Sequence, residues 1–232
     1  MARKLRTIGF DADDTLWHNE KFFRLTQDRF AALLADHAEG HDLDARLLAA
    51  ERRNIGHYGF GVKGFVLSMI ETAIEVTDGR VPSSVISELL AAGREMLDHP
   101  IELLPHAREA VEAVADDHRL VLITKGDLLH QERKLAQSGL GELFDAVEIV
   151  SDKRADTYAR IFGGLPGGTE AAMMVGNSMK SDVVPAVEAG GHGVFVPHDL
   201  GWALEEADAP ASKKFHAIKN LAELPALVER LV

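Results

Sequence analysis

The chain has 232 residues, 46% of them hydrophobic and 27% charged, the balance of a soluble globular protein with room for one large domain or two modest ones. A formal net charge of −12 argues against nucleic acid or an anionic membrane as partner, since either wants a basic field; a phosphate-bearing substrate would need local positive charge or a divalent cation. The absence of cysteine excludes disulfides and thiolate metal sites, and no apolar run reaches the ~18 residues of a membrane span. The basic start Met-Ala-Arg-Lys-Leu-Arg runs into a short strand without the apolar segment and cleavage site of a leader, so a cytoplasmic location is expected.

The first element, Thr7 to Phe10, reads as a buried strand, and it ends in Asp11-Ala12-Asp13-Asp14-Thr15. Side chains alternate along a strand, so Asp11 and Asp13 leave the sheet on one side with Ala12 turned away. Two carboxylates that close must bind a cation, share a proton or shift one pKa. A solvated turn is the plainer alternative. A calcium loop fails, because its sixth and twelfth positions, Gly and Glu in that motif, are Leu16 and Phe22 here.

Helical periodicity then takes over for about 80 residues. The predicted helices are Lys21 to Glu39, Leu43 to Asn54, Gly64 to Thr77 and Ser83 to Leu97, with Phe30, Leu34, Leu47, Met69 and Leu89 among the inward positions. From Ile101 onward helices alternate with short apolar strands. The predicted strands are Leu120 to Ile123, Ala146 to Val150, Ala172 to Val175, Gly193 to Val196 and Phe215 to Ile218. The helices between and after them are Ala107 to Asp116, Leu128 to Ser138, Ala155 to Phe162, Lys180 to Glu188 and Leu221 to Leu231. Apolar strands alternating with helices predict an α/β fold: a three-layer, Rossmann-like parallel sheet, here carrying an inserted all-helical domain. Residues 1–17 and 100–232 form the expected core and residues 18–99 the insert.

Chemistry-bearing residues follow the predicted strands. Thr124 offers a hydroxyl suited to a phosphate oxygen, Lys153 an ammonium group, and Gly176-Asn177-Ser178-Met179-Lys180-Ser181-Asp182 a glycine turn with an amide and a carboxylate. Strand ends are where open α/β sheets bind ligands. Singly, each could be an ordinary loop residue; together, in this order, they are specific.

With these residues the chain resembles the haloacid dehalogenase-like hydrolases over essentially its whole length, and the insert resembles the cap of the subclass whose cap follows the first motif. The resemblance implies Asp11 as the nucleophile that forms an aspartyl-phosphate, and Asp13 as an acid/base kept protonated beside the leaving group. It implies Thr124 and Lys153 as phosphoryl ligands, Lys153 also orienting Asp11. Mg²⁺ would be held by Asp11, the Asp13 carbonyl and Asn177, with Asp182 binding it or ordering its waters. Asn177 stands where family phosphatases often carry Asp, which implies weaker metal binding and is shared with the metal-free dehalogenase branch. In capped relatives the linker Asn54 to Gly64 is the specificity loop, so Tyr58 and Lys63 are candidates for the leaving group.

The expected activity is Mg²⁺-dependent hydrolysis of a small phosphate ester by a monomer or homodimer. A 2-haloacid dehalogenase, a phosphomutase and a catalytically silent binding module are the alternatives. Trp17, His18 and Glu20 are expected at the exit to the insert, as an entrance lining, packing or a hinge. Lys125 and Asp127 flank Thr124 within reach of the pocket rim, with a cap on the next helix the simpler role for Asp127. Lys213 and Lys214 read as surface, and His37 with His41 as an improbable metal pair.

Overall fold

The computed structural model describes residues 4–37 and 42–231. It divides into two compact units: Met1–Glu20, Ile101–Lys125 and Gln131–Val232 form the first, Lys21–Pro100 and Gly126–His130 the second. His41 and the end of the predicted Lys21 to Glu39 helix lie outside the described residues. No helix among the described residues is long and apolar enough to cross a membrane.

The first unit is built on a six-stranded sheet, β1 (Thr7–Phe10), β2 (Arg119–Lys125), β3 (Ala146–Val150), β4 (Ala172–Gly176), β5 (His192–Phe195) and β6 (Phe215–Ala217). The strand order is β3-β2-β1-β4-β5-β6 and every pairing is parallel. Alternate residues feed two cores. Ile8, Phe10, Leu120, Leu122, Met173, Val175 and Val194 pack on one face, while Val121, Ile123, Ala172 and Met174 pack on the other with Tyr158 and Phe162. Burial on both faces is why the runs Leu120–Ile123 and Ala172–Val175 are apolar at consecutive positions rather than at every second one. The chain order reverses between β1 and β4, so the crevice at their C-terminal ends is a topological switch point. Asp11 and Asn177 stand at those two ends.

The second unit contains α1 (Glu20–Leu34, its first residue in the first unit), α2 (Leu43–Tyr58), α3 (Val62–Val76) and α4 (Ser83–Asp98) around Phe30, Leu34, Leu47, Phe65, Met69 and Leu89. The predicted linker from Asn54 to Gly64 is mostly helix. α2 runs on to Tyr58, and the buried Asn54 within it donates to Ser68 Oγ at 3.2 Å and Glu71 Oε2 at 2.6 Å, tying α2 to α3. Only Gly59 to Gly61 break the helices, with φ of 74° at Gly59 and 116° at Gly61.

The sheet unit is completed by α5 (Ala107–Ala115), α6 (Leu128–Ser138, which begins in the second unit), α7 (Ala155–Gly163), α8 (Val184–Glu188) and α9 (Leu224–Leu231). Two predicted helices begin differently. Leu221–Glu223 is a 3₁₀ turn ahead of α9, and Met179–Val183 is a π turn ahead of α8. Pro185 accounts for the second case. It has no N–H to give the Ser181 carbonyl, and the Tyr158 hydroxyl donates there instead at 2.9 Å. Lys214, expected at the surface, is partly buried and donates to the Gly190 carbonyl at 2.6 Å.

On β5 and β6, His192 and His216 stack with Nδ1 and Nε2 3.0 Å apart. Burial, then the neighbouring His216 and Lys214, lowers the His192 pKa to about 4 from 6.5; burial and then Arg230 lower that of His216. The unfolded chain therefore binds more protons below pH 6.5. This contribution to stability is complete above that pH and declines as pH falls through about 4. The wild-type thermal midpoint is expected to fall more than that of His192→Gln between about pH 7 and about pH 4.5. Equal falls in parallel melts would remove the histidine pair as the cause.

Candidate active site

Asp11 follows β1 and donates its backbone N–H to the Val175 carbonyl at 2.9 Å, which fixes it to the β4 side of the switch point. Its carboxylate takes Lys153 Nζ on Oδ1 and Thr15 Oγ1 on Oδ2, the latter at 3.0 Å. The Lys153 ammonium also donates to Asp182 Oδ1 at 2.7 Å. One buried lysine thus serves two buried carboxylates from different strand ends. Burial first, and then the charge of Asp182, push the Asp11 carboxyl above its ordinary range despite the lysine. Lys153 itself is held firmly protonated, because its two carboxylates outweigh burial.

Asp182 receives Ser178 N on its second oxygen at 2.9 Å. Its observed partners therefore orient Lys153 and the 176–182 turn. Gly176 is what lets it stand there, since a Cβ on residue 176 would lie 2.3 Å from Asp182 Oδ2.

Asp13 differs from expectation. Burial alone would raise its pKa, but Lys134 and hydrogen bonds from Lys134, Trp17 and Gln131 outweigh burial and hold it below its ordinary value. Lys134 Nζ lies 2.6 and 2.7 Å from its two oxygens, Trp17 Nε1 2.7 Å from Oδ1 and Gln131 Nε2 3.2 Å from Oδ2. The expected protonated acid is an ionised one here, held by donors separate from those on Asp11. Trp17 is wholly buried and so lines no entrance. Asp14, at φ 60°, caps the start of α1 by accepting from the backbone of Asn19 at 2.8 Å and Glu20 at 2.9 Å.

Thr124 is the penultimate residue of β2, buried, and accepts from Gln131 Nε2 at 2.6 Å. Its own proton has only a long 3.4 Å contact to the Lys125 carbonyl, which leaves it free for a ligand oxygen. Lys125 Nζ bonds Glu205 Oε1 at 2.6 Å and Ser181 Oγ at 2.8 Å, and the other oxygen of Glu205 takes Ser178 Oγ. Glu205, from the β5–β6 connection, thereby braces the π turn. Tyr58 and Lys63 lie in the helical unit, where Lys63 Nζ pairs with Asp127 at 3.1 Å.

One terminal atom of the Asn177 amide lies 3.2 Å from Thr15 Oγ1, 3.2 Å from the Asp13 carbonyl oxygen and 3.3 Å from Asp11 Oδ2. This convergence can be satisfied in two ways. With the amide nitrogen there, Asn177 donates to the three oxygens. With the amide oxygen there, acceptors face one another and a cation between them would hold them together. Asp11 Oδ2, the Asp13 carbonyl and Asn177 Oδ1 are hard oxygen donors of the kind Mg²⁺ takes together with waters and substrate oxygens, so these residues fit that ion. They bring one formal negative charge. Among the described residues no group of three or more His, Asp or Glu side chains could hold a metal, so any such ion depends on the carbonyl and the amide.

Gln131, Lys134 and Glu205 carried no sequence signal beyond helix phase or loop position. Thr15 and Trp17 stood in the motif without an assigned contact.

This arrangement places the chain in a known class. Residues 5–190 match the family model described as haloacid dehalogenase-like hydrolase, and the chain belongs to that family. It is 41% identical to a haloacid dehalogenase-like family hydrolase from Xanthomonas campestris, with a TM-score of 0.88 over 98% of this chain and 91% of that one. At 17% identity, the fold is shared with a HAD-hydrolase of Bacillus subtilis bound to magnesium, at TM-score 0.65 over 98% and 100% of the two chains. It is shared equally with L-2-haloacid dehalogenase of Xanthobacter autotrophicus with chloropropionic acid covalently bound, at 17% identity and TM-score 0.64 over 98% and 100%. No curated protein matches the chain.

Replacing Gly176 with Ala is expected to displace Asp182 and lower stability by about 1–3 kcal/mol, as overpacking does. An unchanged denaturant midpoint for Gly176→Ala would show that the turn yields freely.

Proposed function

We propose that this hydrolase is a phosphatase acting on a small phosphate ester through an aspartyl-phosphate on Asp11, with Mg²⁺ as its cofactor. The observation that carries the reading is the convergence of Asp11 Oδ2, the Asp13 carbonyl and the Asn177 amide. A carboxylate attacking a phosphate dianion needs positive charge between the two, and a bound Mg²⁺ supplies it. Halide displacement from a neutral carbon has no such need. Asp13 supports the same choice, because a departing alkoxide needs a proton and a departing halide needs none.

In this reading the chain's own residues do the following. Lys153 orients Asp11 through Oδ1 and offers positive charge to the phosphoryl group, while Thr124 donates its free proton to a phosphoryl oxygen. Thr15 holds Oδ2 of Asp11. Asp182 keeps Lys153 in place. Asp13 serves as the acid/base, and the helical unit is the cap of the subclass whose cap follows the first motif, with Tyr58 and Lys63 as its candidates for the leaving group.

The second reading, a dehalogenase, rests on the other rotamer of Asn177, whose nitrogen would satisfy Asp11 without a cation. Phosphate release from 4-nitrophenyl phosphate separates the two. Wild-type turnover is expected to require Mg²⁺ and to fall at least roughly a thousandfold in Asp11→Asn. Asn177→Asp is expected to lower the Mg²⁺ concentration giving half-maximal rate, since it adds a charge to the ligand set. Halide release from 2-chloropropionate, with no phosphate release from any ester, would replace the phosphatase by the dehalogenase.

A further inference from the structure

The Asp13 carboxylate is tightly held. A carboxylate offers about four acceptor sites; Trp17 Nε1 and Lys134 Nζ, the latter on both oxygens, take three at 2.7, 2.6 and 2.7 Å, and Gln131 Nε2, which also donates to Thr124 Oγ1 at 2.6 Å and the Lys125 carbonyl at 2.9 Å, stands 3.2 Å from Oδ2. Lys134 is only 5% exposed, and its further contact is Asn19 Oδ1 at 3.3 Å. Burying an ammonium group is costly unless it is paired, and an apolar side chain would fill the same volume with no such cost. Here the whole charge is directed at one carboxylate, through both oxygens.

We propose that Lys134 is a positioning residue that clamps Asp13, and that Asp13 must leave this clamp before it can hand a proton to a departing oxygen. The proposal rests on the phosphatase reading. In the first half-reaction an oxygen of Asp11 bonds to phosphorus as the bond from phosphorus to the leaving oxygen breaks. The leaving oxygen keeps that electron pair and takes up one proton from Asp13, which, once released from Lys134, has first taken that proton from water. A nitrophenolate leaves without the proton, whereas an alkoxide does not, so the clamp penalises alkyl esters selectively. Gln131 ties the clamp to substrate, because the amide that touches Asp13 also donates to Thr124 Oγ1. A phosphoryl oxygen that takes the free Thr124 proton leaves the Gln131 bond in place, so the phosphoryl site and the clamp are joined through one hydroxyl.

The test compares kcat and KM for 4-nitrophenyl phosphate and glycerol 2-phosphate in the wild type, Lys134→Met and Lys134→Arg. Alongside it runs a thermal-unfolding double-mutant cycle of Lys134→Met with Asp13→Asn. The ratio of alkyl to aryl kcat is expected to rise roughly tenfold in Lys134→Met, a fraction of what a general acid supplies. KM should change little, and Lys134→Arg should restore the wild-type ratio. Asp13→Asn is expected to recover part of the stability that Lys134→Met loses. Equal loss on both esters would overturn the proposal and leave Lys134 a packing residue. Additivity in the cycle would overturn the clamp itself, and that arm reads out even if the wild type hydrolyses no phosphate ester, the result that defeats the proposed function instead. Lys134→Gln, which retains a donor, carries both comparisons if the Met variant does not fold.

Discussion

The structure depends on one ammonium group. Lys153 Nζ is buried where β1, β3 and β4 end, and it bonds Asp11 and Asp182 at once. Such a pairing contributes little net stability, since desolvation offsets attraction, but removing the lysine alone would leave two buried carboxylates unpaired, at about 3–5 kcal/mol. The surrounding features follow from keeping it in place. Gly176 clears space for Asp182, the π turn aims Asp182 inward, and Tyr158 with Glu205 braces that turn.

Around this centre the two acids of the first motif are divided by their donors. Asp11 is raised by burial and by its carboxylate neighbour; Asp13 is lowered by Lys134. An identical pair of side chains two residues apart acquires opposite tendencies because one shares its lysine and the other does not. The separation comes from helix α6, not from the motif itself.

That division marks what the sequence made legible. Apolar runs, their alternation with helices and the polar residues that follow them were enough for the parallel sheet, and the bounds of Ala146–Val150 and Leu128–Ser138 agree with the sequence reading. The order Asp11, Thr124, Lys153, Asp182 was legible for the same reason, since a strand end is a place a sequence can mark. The structure brings Asp11, Lys153 and Asp182 into direct contact. The clamp on Asp13 was hidden because the inward face of α6 mixes Leu135 with Gln131, Lys134 and Ser138, while Leu128 and Leu129 are 60% and 64% exposed. Hydrophobic periodicity does not single out a polar side chain buried on such a face. Pro185 could have betrayed the π turn, but only with knowledge of which group takes up the freed carbonyl.

The strand order also has a consequence for how the molecule comes into being. β1 lies inside the sheet, yet it is made before the other five strands, and its neighbours begin at Arg119 and Ala172. Over that interval the helical unit, nearly all of it contiguous from Lys21 to Pro100, emerges with its own apolar core and only local partners. Local contacts form fast and distant pairings slowly. The Lys21–Pro100 part of the helical unit therefore has its partners at hand before either neighbour of the Thr7–Phe10 strand has been made, and the charges that meet at Lys153 come together only when β4 closes the gap.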